Sequence, residues 1–199
     1  MDFEQIAQAV MKRIFIELEA SGRHVHVTKE QAIALFGHPL TPKRELSQPG
    51  QYLANERVTV VGPKGEFQNV AVLGPERNAG QVELSMTDAR VLGITAPIHL
   101  SGDIENTPGA TLRGQMGQVT LPQGVIVAQR HIHITPEDAE KMGVCDKQIV
   151  KLQTYTSRPL IFDEVVVRVS PQFRTYVHLD YDEANACGFQ AGDLGRILL

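Results

Sequence analysis

Two His-x-His pairs are the residues of this chain whose types and spacing could do chemistry. His24 and His26 stand in the run RHVHVT, and His131 and His133 stand in RHIHIT. Residues two apart on a β-strand point to the same face, so each pair would direct two imidazoles to one place, as zinc requires. One such pair is weak evidence, because a buried histidine often only satisfies a core hydrogen bond. Two pairs in related runs favour metal binding.

An internal repeat supplies a third candidate ligand for each pair. The run VELSMTDARVLG from Val82 corresponds to VHLDYDEANACG from Val177, at an offset of 95 residues. This offset aligns Glu83 with His178, and each residue stands at the inward position of a Val-x-Leu strand. Three protein ligands with an open fourth position are typical of catalytic zinc. The predicted ligand sets are His24, His26 and Glu83 for one zinc ion, and His131, His133 and His178 for a second.

Two offsets define the duplicated unit. RHVHVT and RHIHIT share four identities at an offset of 107, against 95 for the later pair, so the first copy holds about a dozen extra residues. Missing such a repeat would mispredict the fold. We predict an N-terminal helix over 1–20, a first copy over 21–115 and a second copy over 116–199.

The elements that must position these residues are short strands. Alternating β-branched runs such as ERVTVV and EVVVRV are separated by Gly and Pro, which is typical of β-strands and turns. Four strands lead into short helices whose N-caps are Thr28, Ser85 or Thr87, Thr135, and Asp180. The pattern predicts a mainly β protein built as two small β-barrels or sandwiches, related by internal duplication and carrying short capping α-helices.

The N-terminal residues 2–18 have the spacing of an amphipathic helix. Their apolar side chains recur every three or four residues. The helix could pack on its own domain or dock in a groove of another protein. It has no secretory signal pattern, so we expect a cytoplasmic protein. The predicted apolar stripe consists of Phe3, Ile6, Val10, Ile14 and Leu18.

Composition excludes several classes. The 199 residues are 42% hydrophobic and 21% charged, which is ordinary for a globular protein. The net charge of −4 gives no sign of a nucleic-acid partner, and no apolar run is long enough to span a membrane. Cys145 and Cys187 lie far apart, so a disulfide scaffold and a thiolate zinc site are both disfavoured.

Arg77, in the run GPERNAG ahead of Glu83, is the remaining candidate for chemistry. A guanidinium near the metals would suit phosphate binding through paired hydrogen bonds. From its position alone, a solvated loop arginine is the simpler interpretation. His38 and His99 are interpreted as bystanders.

The quoted runs, together with LSQPGQY, SGDIENTPG and GVIVAQRHIHITPEDAEKMGV, resemble the phosphate propanoyltransferase family, the PduL-type phosphotransacylases. The resemblance extends from Arg23 to Gly188. It implies transfer of a propanoyl or acetyl group between coenzyme A and phosphate. It also implies two six-stranded barrels, with the first strand joining the C-terminal barrel, and two zinc ions facing the coenzyme A thiol.

The resemblance carries over residue by residue. It matches the six predicted ligands to the family's two zinc sites and Arg77 to the arginine that holds phosphate. Met86 replaces an arginine common in the family, which puts a role at that position in doubt. The substrates implied are coenzyme A, acyl phosphate and phosphate, and an oligomer is compatible with the sequence. Residues 2–18 resemble the helices that direct family members to shell or cargo proteins inside bacterial microcompartments.

Neither a Ser-His-Asp nor a Cys-His arrangement is evident, so we expect direct transfer without an acyl-enzyme. The alternative is a binuclear zinc thioesterase or phosphoesterase, which would activate water at the same histidines. A catalytically inactive assembly module is disfavoured, because a binding role needs none of the six ligands.

Overall fold

The fold was analysed in a computed structural model that describes residues 2, 5, 10, 11 and 13–199. The described residues form fifteen strands and four capped helices. The strands are β1 (Ile16–Ser21), β2 (His24–His26), β3 (Pro42–Glu45), β4 (Tyr52–Val61), β5 (Glu66–Gly74), β6 (Gln81–Leu84), β7 (Ile98–His99), β8 (Ala110–Arg113), β9 (Gln118–Leu121), β10 (Val125–Ala128), β11 (His131–Ile134), β12 (Ile149–Tyr155), β13 (Ile161–Val169), β14 (Tyr176–Asp180) and β15 (Leu194–Leu198). The helices are α1 (Lys29–Phe36), α2 (Met86–Leu92), α3 (Pro136–Met142) and α4 (Tyr181–Cys187).

The chain divides into two compact units. The central unit is Gly22–Gln129, and the terminal unit joins Met1–Ser21 to Arg130–Leu199. The terminal unit is a closed barrel in the order β1-β14-β11-β13-β12-β15. The central unit is a nine-stranded sheet whose middle strands follow the order β10-β6-β2-β5-β4-β8, with β7 and β9 at its ends and β3 beside β4. The prediction of a mainly β protein with two duplicated, barrel-like units is confirmed.

Each unit contains the strand that precedes the other unit's His-x-His pair. Strand β1 ends just before His24 but pairs with β14 in the terminal unit, in the register Leu18↔Val177. Strand β10 ends just before His131 but pairs with β6 in the central unit, in the register Val125↔Val82. The repeat offsets of 107 and 95 relate these two registers to each other. The central unit includes β9 and β10, which lie in the second sequence copy, 116–199.

The N-terminal helix prediction is wrong at its C-terminal end. Val10, Met11 and Ile14 are helical and exposed, whereas Leu18 lies on β1 and is only 2% exposed, within the terminal core. Alternating burial along β1, rather than a helical stripe, places Ile16 and Leu18 in the core. Residues 3 and 6 of the predicted stripe lie outside the described residues. The packaging role of residues 2–18 stays a prediction.

Each capped helix directly follows a strand that carries one or two of the candidate ligands, as predicted. Each N-cap side-chain oxygen accepts a hydrogen bond from a backbone N–H in the first turn of its helix. Each helix ends at a glycine in the left-handed region, with φ between 66° and 81°. The N-caps are Thr28, Ser85, Thr135 and Asp180. No described helix has the length and apolar character needed to cross a membrane.

The histidine strands are buried on both faces. Val25 and Val27 are fully buried in the core of the central unit, and Ile132 and Ile134 are fully buried in that of the terminal unit. Because side chains alternate across a strand, the histidines between them point to the opposite face. The apolar side chains thus fix the strands that present the imidazoles.

Candidate metal centres

The first centre, the central triad, is His24, His26 and Glu83. Strand β2 runs antiparallel to β6, and the register sets His24 directly across from Glu83. The Glu83 carboxylate lies 3.5 Å from His24 Nε2 and 3.7 Å from His26 Nε2. One ligand atom from each residue lies within 4.8 Å of the others. The two strands therefore bring together the three residues that the sequence grouped.

Hydrogen bonds orient the donors of the central triad. His24 Nδ1 lies 2.9 Å from the Gly22 carbonyl, and His26 Nδ1 lies 3.3 Å from the Leu73 carbonyl. A carbonyl can only accept, so each Nδ1 carries a proton, and Nε2 is the ring nitrogen that faces Glu83 and is available to a metal. This is the tautomer that binds a metal through Nε2.

Two polar side chains hold the Glu83 carboxylate, and the sequence analysis missed both. Gln81 Nε2 donates to Glu83 Oε1 at 2.5 Å, and the Ser101 hydroxyl donates to the same oxygen at 2.6 Å. Gln81 stands two residues before Glu83 on β6, so strand alternation could have identified it. Ser101 lies in the loop after β7, and only the tertiary structure brings it to the triad.

Burial and charge set the protonation of the central triad. Burial alone would raise the pKa of Glu83, but His24 and His26 outweigh it and hold that pKa well below its usual value. Burial lowers the pKa of His26 to about 4, so His26 is neutral near pH 7. Burial would also lower the pKa of His24, but the Glu83 carboxylate raises it. The triad therefore offers an ionised carboxylate from Glu83 and a neutral imidazole from His26.

The second centre, the terminal triad, is His131, His133 and His178. Strand β11 runs antiparallel to β14 in the register His131↔His178, which repeats the relation of His24 to Glu83. The His131 and His178 rings stack with centroids 5.0 Å apart, and His133 Nδ1 lies 3.1 Å from His178 Nε2. Each residue again offers one nitrogen within 4.8 Å of the others. The two copies share the strand register and differ in one residue type, glutamate against histidine.

Both donor sets fit zinc. The central triad offers two imidazole nitrogens and a carboxylate oxygen, and the terminal triad offers three imidazole nitrogens; the two histidines of each pair are less than a tenth exposed. Three such ligands leave a position for water or substrate, as in catalytic zinc sites. Mg²⁺ and Ca²⁺ prefer all-oxygen sites, which these imidazole-rich triads are not.

Arg77 lies next to the central triad. Its backbone N–H donates to the Val27 carbonyl at 2.9 Å, which anchors the loop beside the histidine strand. Its guanidinium donates to the Ser101 hydroxyl at 3.1 Å, and Ser101 donates in turn to Glu83. The positive charge of Arg77 lowers the pKa of His24 and His26, an effect smaller than those of burial and Glu83. Arg77 is therefore connected to the predicted ligands rather than a detached loop arginine.

The central unit also contains an arginine clamp that sequence analysis missed. Arg23, next to His24, donates from Nε and Nη2 to the two Asp88 carboxylate oxygens at 2.9 and 2.6 Å. Its guanidinium lies 4.1 Å from the centroid of the Phe67 ring. The clamp ties the start of β2 to helix α2 and so fixes the strand that carries His24 and His26.

The terminal unit repeats this clamp. Arg130, next to His131, donates from Nη1 to Glu183 at 2.7 Å and lies 5.8 Å from the Phe162 ring. The two repeat offsets relate Arg130 to Arg23, Glu183 to Asp88 and Phe162 to Phe67. This correspondence was present in the sequence and could have identified the clamp.

The two histidines interpreted as bystanders lie apart from the triads. His38 Nδ1 lies 2.8 Å from the Pro39 carbonyl, and His99 Nδ1 lies 3.0 Å from that of Asp103. Within the described part of the chain, neither belongs to a group of potential metal ligands. Met86, whose role the sequence left in doubt, is 54% exposed.

Comparison with known proteins identifies the family. The family model for phosphate propanoyltransferase matches residues 17–190. A phosphate propanoyltransferase of Enterococcus faecalis is 56% identical, with 98% of this chain and 96% of the relative covered. Those of Clostridioides difficile and Thermotoga maritima are 54% and 49% identical, each with 98% of this chain and 94% of the relative covered. The chain belongs to the phosphate propanoyltransferase family.

Proposed function

We propose that this chain is a phosphotransacylase that transfers a short acyl group, propanoyl or acetyl, between coenzyme A and inorganic phosphate. The reaction is acyl-CoA + phosphate = acyl phosphate + CoA. The observation that carries the proposal is the pair of converging three-donor triads, one in each unit, in a member of an acyltransferase family. Neither triad would be needed by a protein that only binds partners.

In this proposal each triad holds one zinc ion. His24, His26 and Glu83 would bind the first, and the second would be bound by His131, His133 and His178. Bound zinc supplies a Lewis acid that favours the thiolate form of coenzyme A and polarises the acyl carbonyl. The chain's own contribution is orientation, because backbone carbonyls at Gly22 and Leu73 fix the Nε2 atoms of the first pair.

Arg77 would bind the phosphate. A guanidinium presents several N–H donors in one plane, which matches two oxygens of a phosphate dianion. Arg77 is only partly buried, and its guanidinium has further N–H donors besides the one that bonds to Ser101. Holding phosphate against the acyl carbon removes most of the entropic cost of bringing two substrates together. Arg77 is thus assigned to positioning phosphate for attack.

Direct transfer, without an acyl-enzyme, agrees with the placement of the cysteines. Cys187 is fully buried in the terminal core, and burial raises the pKa of its thiol. The Cys145 thiol lies 3.6 Å from the Gln148 side-chain oxygen. Neither thiol lies in a triad, and a covalent intermediate requires an activated nucleophile.

One assay tests the proposal against hydrolysis. Release of coenzyme A from acetyl-CoA and propanoyl-CoA is measured with and without phosphate, before and after removal of metal by a chelator. A phosphotransacylase releases coenzyme A only with phosphate and forms acyl phosphate, which hydroxylamine traps. Phosphate-independent release with free acid as product would instead identify a zinc thioesterase. Added zinc should restore the chelated enzyme, and His38→Ala serves as a histidine control.

A further inference from the structure

Glu19 contacts the outer nitrogen of a terminal-triad histidine. On β1 it pairs in register with His178 of β14, and its Oε2 lies 3.4 Å from His178 Nδ1. The other ring nitrogen, Nε2, lies 3.1 Å from His133 Nδ1 and so faces the triad. The His178 side chain is 12% exposed and that of Glu19 is 35% exposed. The two nitrogens of His178 therefore have separate partners, one carboxylate and one cluster of potential ligands.

This contact favours one tautomer of His178. A carboxylate is an acceptor only, so it favours the imidazole form with its proton on Nδ1. That form leaves the Nε2 lone pair directed at His131 and His133. A carboxylate on the outer nitrogen also makes a histidine a stronger metal ligand, and its loss lowers metal affinity about 10–100-fold in known sites.

The duplication shows that this carboxylate is not a general feature of the fold. The offset of 107 carries Glu19 onto Ile126, which is fully buried and pairs in register with Glu83. In the central triad the Glu83 carboxylate is itself a candidate ligand, and hydrogen bonds from Gln81 and Ser101 orient it. Each triad therefore has one carboxylate, inside the cluster in the central unit and behind His178 in the terminal unit. A divalent cation at either triad would meet one negative charge.

We propose that Glu19 is a positioning residue that fixes His178 in the Nδ1–H tautomer and strengthens zinc binding at the terminal triad. The inference rests on the proposed function in that it takes zinc to be the ion at this triad. Glu19 reaches His178 because β1, which precedes His24 in sequence, pairs with β14 in the terminal unit.

Zinc affinity tests the proposal through two substitutions and a matched control. Glu19→Gln removes the charge and keeps the size, and Glu19→Ala removes the hydrogen-bond acceptor as well. Glu17→Gln removes the same charge from an exposed position on the same strand. Competition with a graded zinc chelator, read as zinc per chain, should show two ions in the wild type. We expect one of the two ions to bind about 10–100-fold more weakly in both Glu19 variants, with the larger effect in Glu19→Ala, and no change in Glu17→Gln.

A second readout is independent of zinc and of activity. Long-range ¹H–¹⁵N spectra of the imidazoles distinguish the two neutral tautomers of each histidine. In the metal-free wild type His178 should be the Nδ1–H form, and in Glu19→Ala it should become a mixture. A purely structural role for Glu19 would not move this signal.

The outcomes separate this inference from the proposed function. A wild type that binds no zinc would overturn the proposed function and this inference with it. A wild type with two zinc ions and Glu19 variants of unchanged affinity would overturn this inference alone. Equal weakening of both ions, with a lower melting temperature of the metal-free Glu19 variants, would also overturn it, since the effect would then be on the fold.

Discussion

The Arg23–Asp88 clamp should carry a large part of the stability of the central unit, and Arg23→Met tests this. The substitution keeps an unbranched side chain over Phe67 but removes the guanidinium. The Asp88 side chain is 7% exposed and accepts two hydrogen bonds from Arg23 at 2.9 and 2.6 Å. Removing one partner of a buried ion pair costs about 3–5 kcal/mol, because the other charge remains buried.

The Arg23 side chain is 38% exposed, which lowers this estimate. Water can reach part of the site and solvate the remaining carboxylate, so we expect a loss of about 3 kcal/mol, at the low end of that range. The loss of the cation–π contact with Phe67 adds roughly 0.5–1 kcal/mol. In the double variant Arg23→Met/Asp88→Asn the buried charge is gone as well. Its destabilisation should therefore be smaller than the sum of the single variants by at least about 1.5 kcal/mol.

Urea unfolding followed by circular dichroism measures these free energies. Hydrogen exchange of peptides from each unit, read by mass spectrometry, assigns the loss to the central unit. Arg130→Met is the matched control in the terminal unit, where Arg130 donates to Glu183 at 2.7 Å and the two side chains are 25% and 16% exposed. Its effect should be smaller and confined to that unit. A loss below about 1 kcal/mol for Arg23→Met, or additive single variants, would refute the reasoning.

Three further predictions concern the site. Arg77→Ala should raise the KM for phosphate at least about tenfold, through lost charge-assisted hydrogen bonds, while zinc per chain stays unchanged; a wild-type KM and kcat would contradict its role. Glu83→Gln should remove about one zinc ion per chain, because an amide replaces the ionised ligand, whereas His38→Ala should leave the metal content intact; retention of both ions in Glu83→Gln would exclude Glu83 as a ligand. Gln81→Leu removes the 2.5 Å hydrogen bond to Glu83 and should weaken zinc binding at the central triad about 10–100-fold. Chelator competition measures this affinity, and a zinc affinity equal to that of the wild type would contradict the role of Gln81.

Local patterns were sufficient for much of the site. The period of two along a strand placed His24 with His26 and His131 with His133, because backbone geometry alone sets side-chain alternation. The helix caps were equally local, although only the structure chose Ser85 over Thr87. The offset of 95 aligned Glu83 with His178 as equivalent positions of the two copies, because duplicated segments preserve strand register even where the residue type changes.

Other features depended on which strands pair. Leu18 belongs to a helical stripe by spacing, but the closed barrel requires β1 as its sixth strand, so tertiary packing overrides the local pattern. The same pairing moves Glu19 beside His178. The two repeat offsets relate the members of the arginine clamps to each other, but only the fold shows that Arg23 contacts its partner on α2 and that Arg130 contacts its partner on α4.

The sequence by itself determined the candidate ligand types, their grouping into two triads and the duplicated, mainly β architecture, because these follow from spacing and self-similarity. Only the tertiary structure decided the exchange of β1 and β10 between the units, the support of Glu83 by Ser101, and the carboxylate behind His178. The physical reason is that strand pairing joins residues far apart in the chain, and the register between two strands depends on the burial of both.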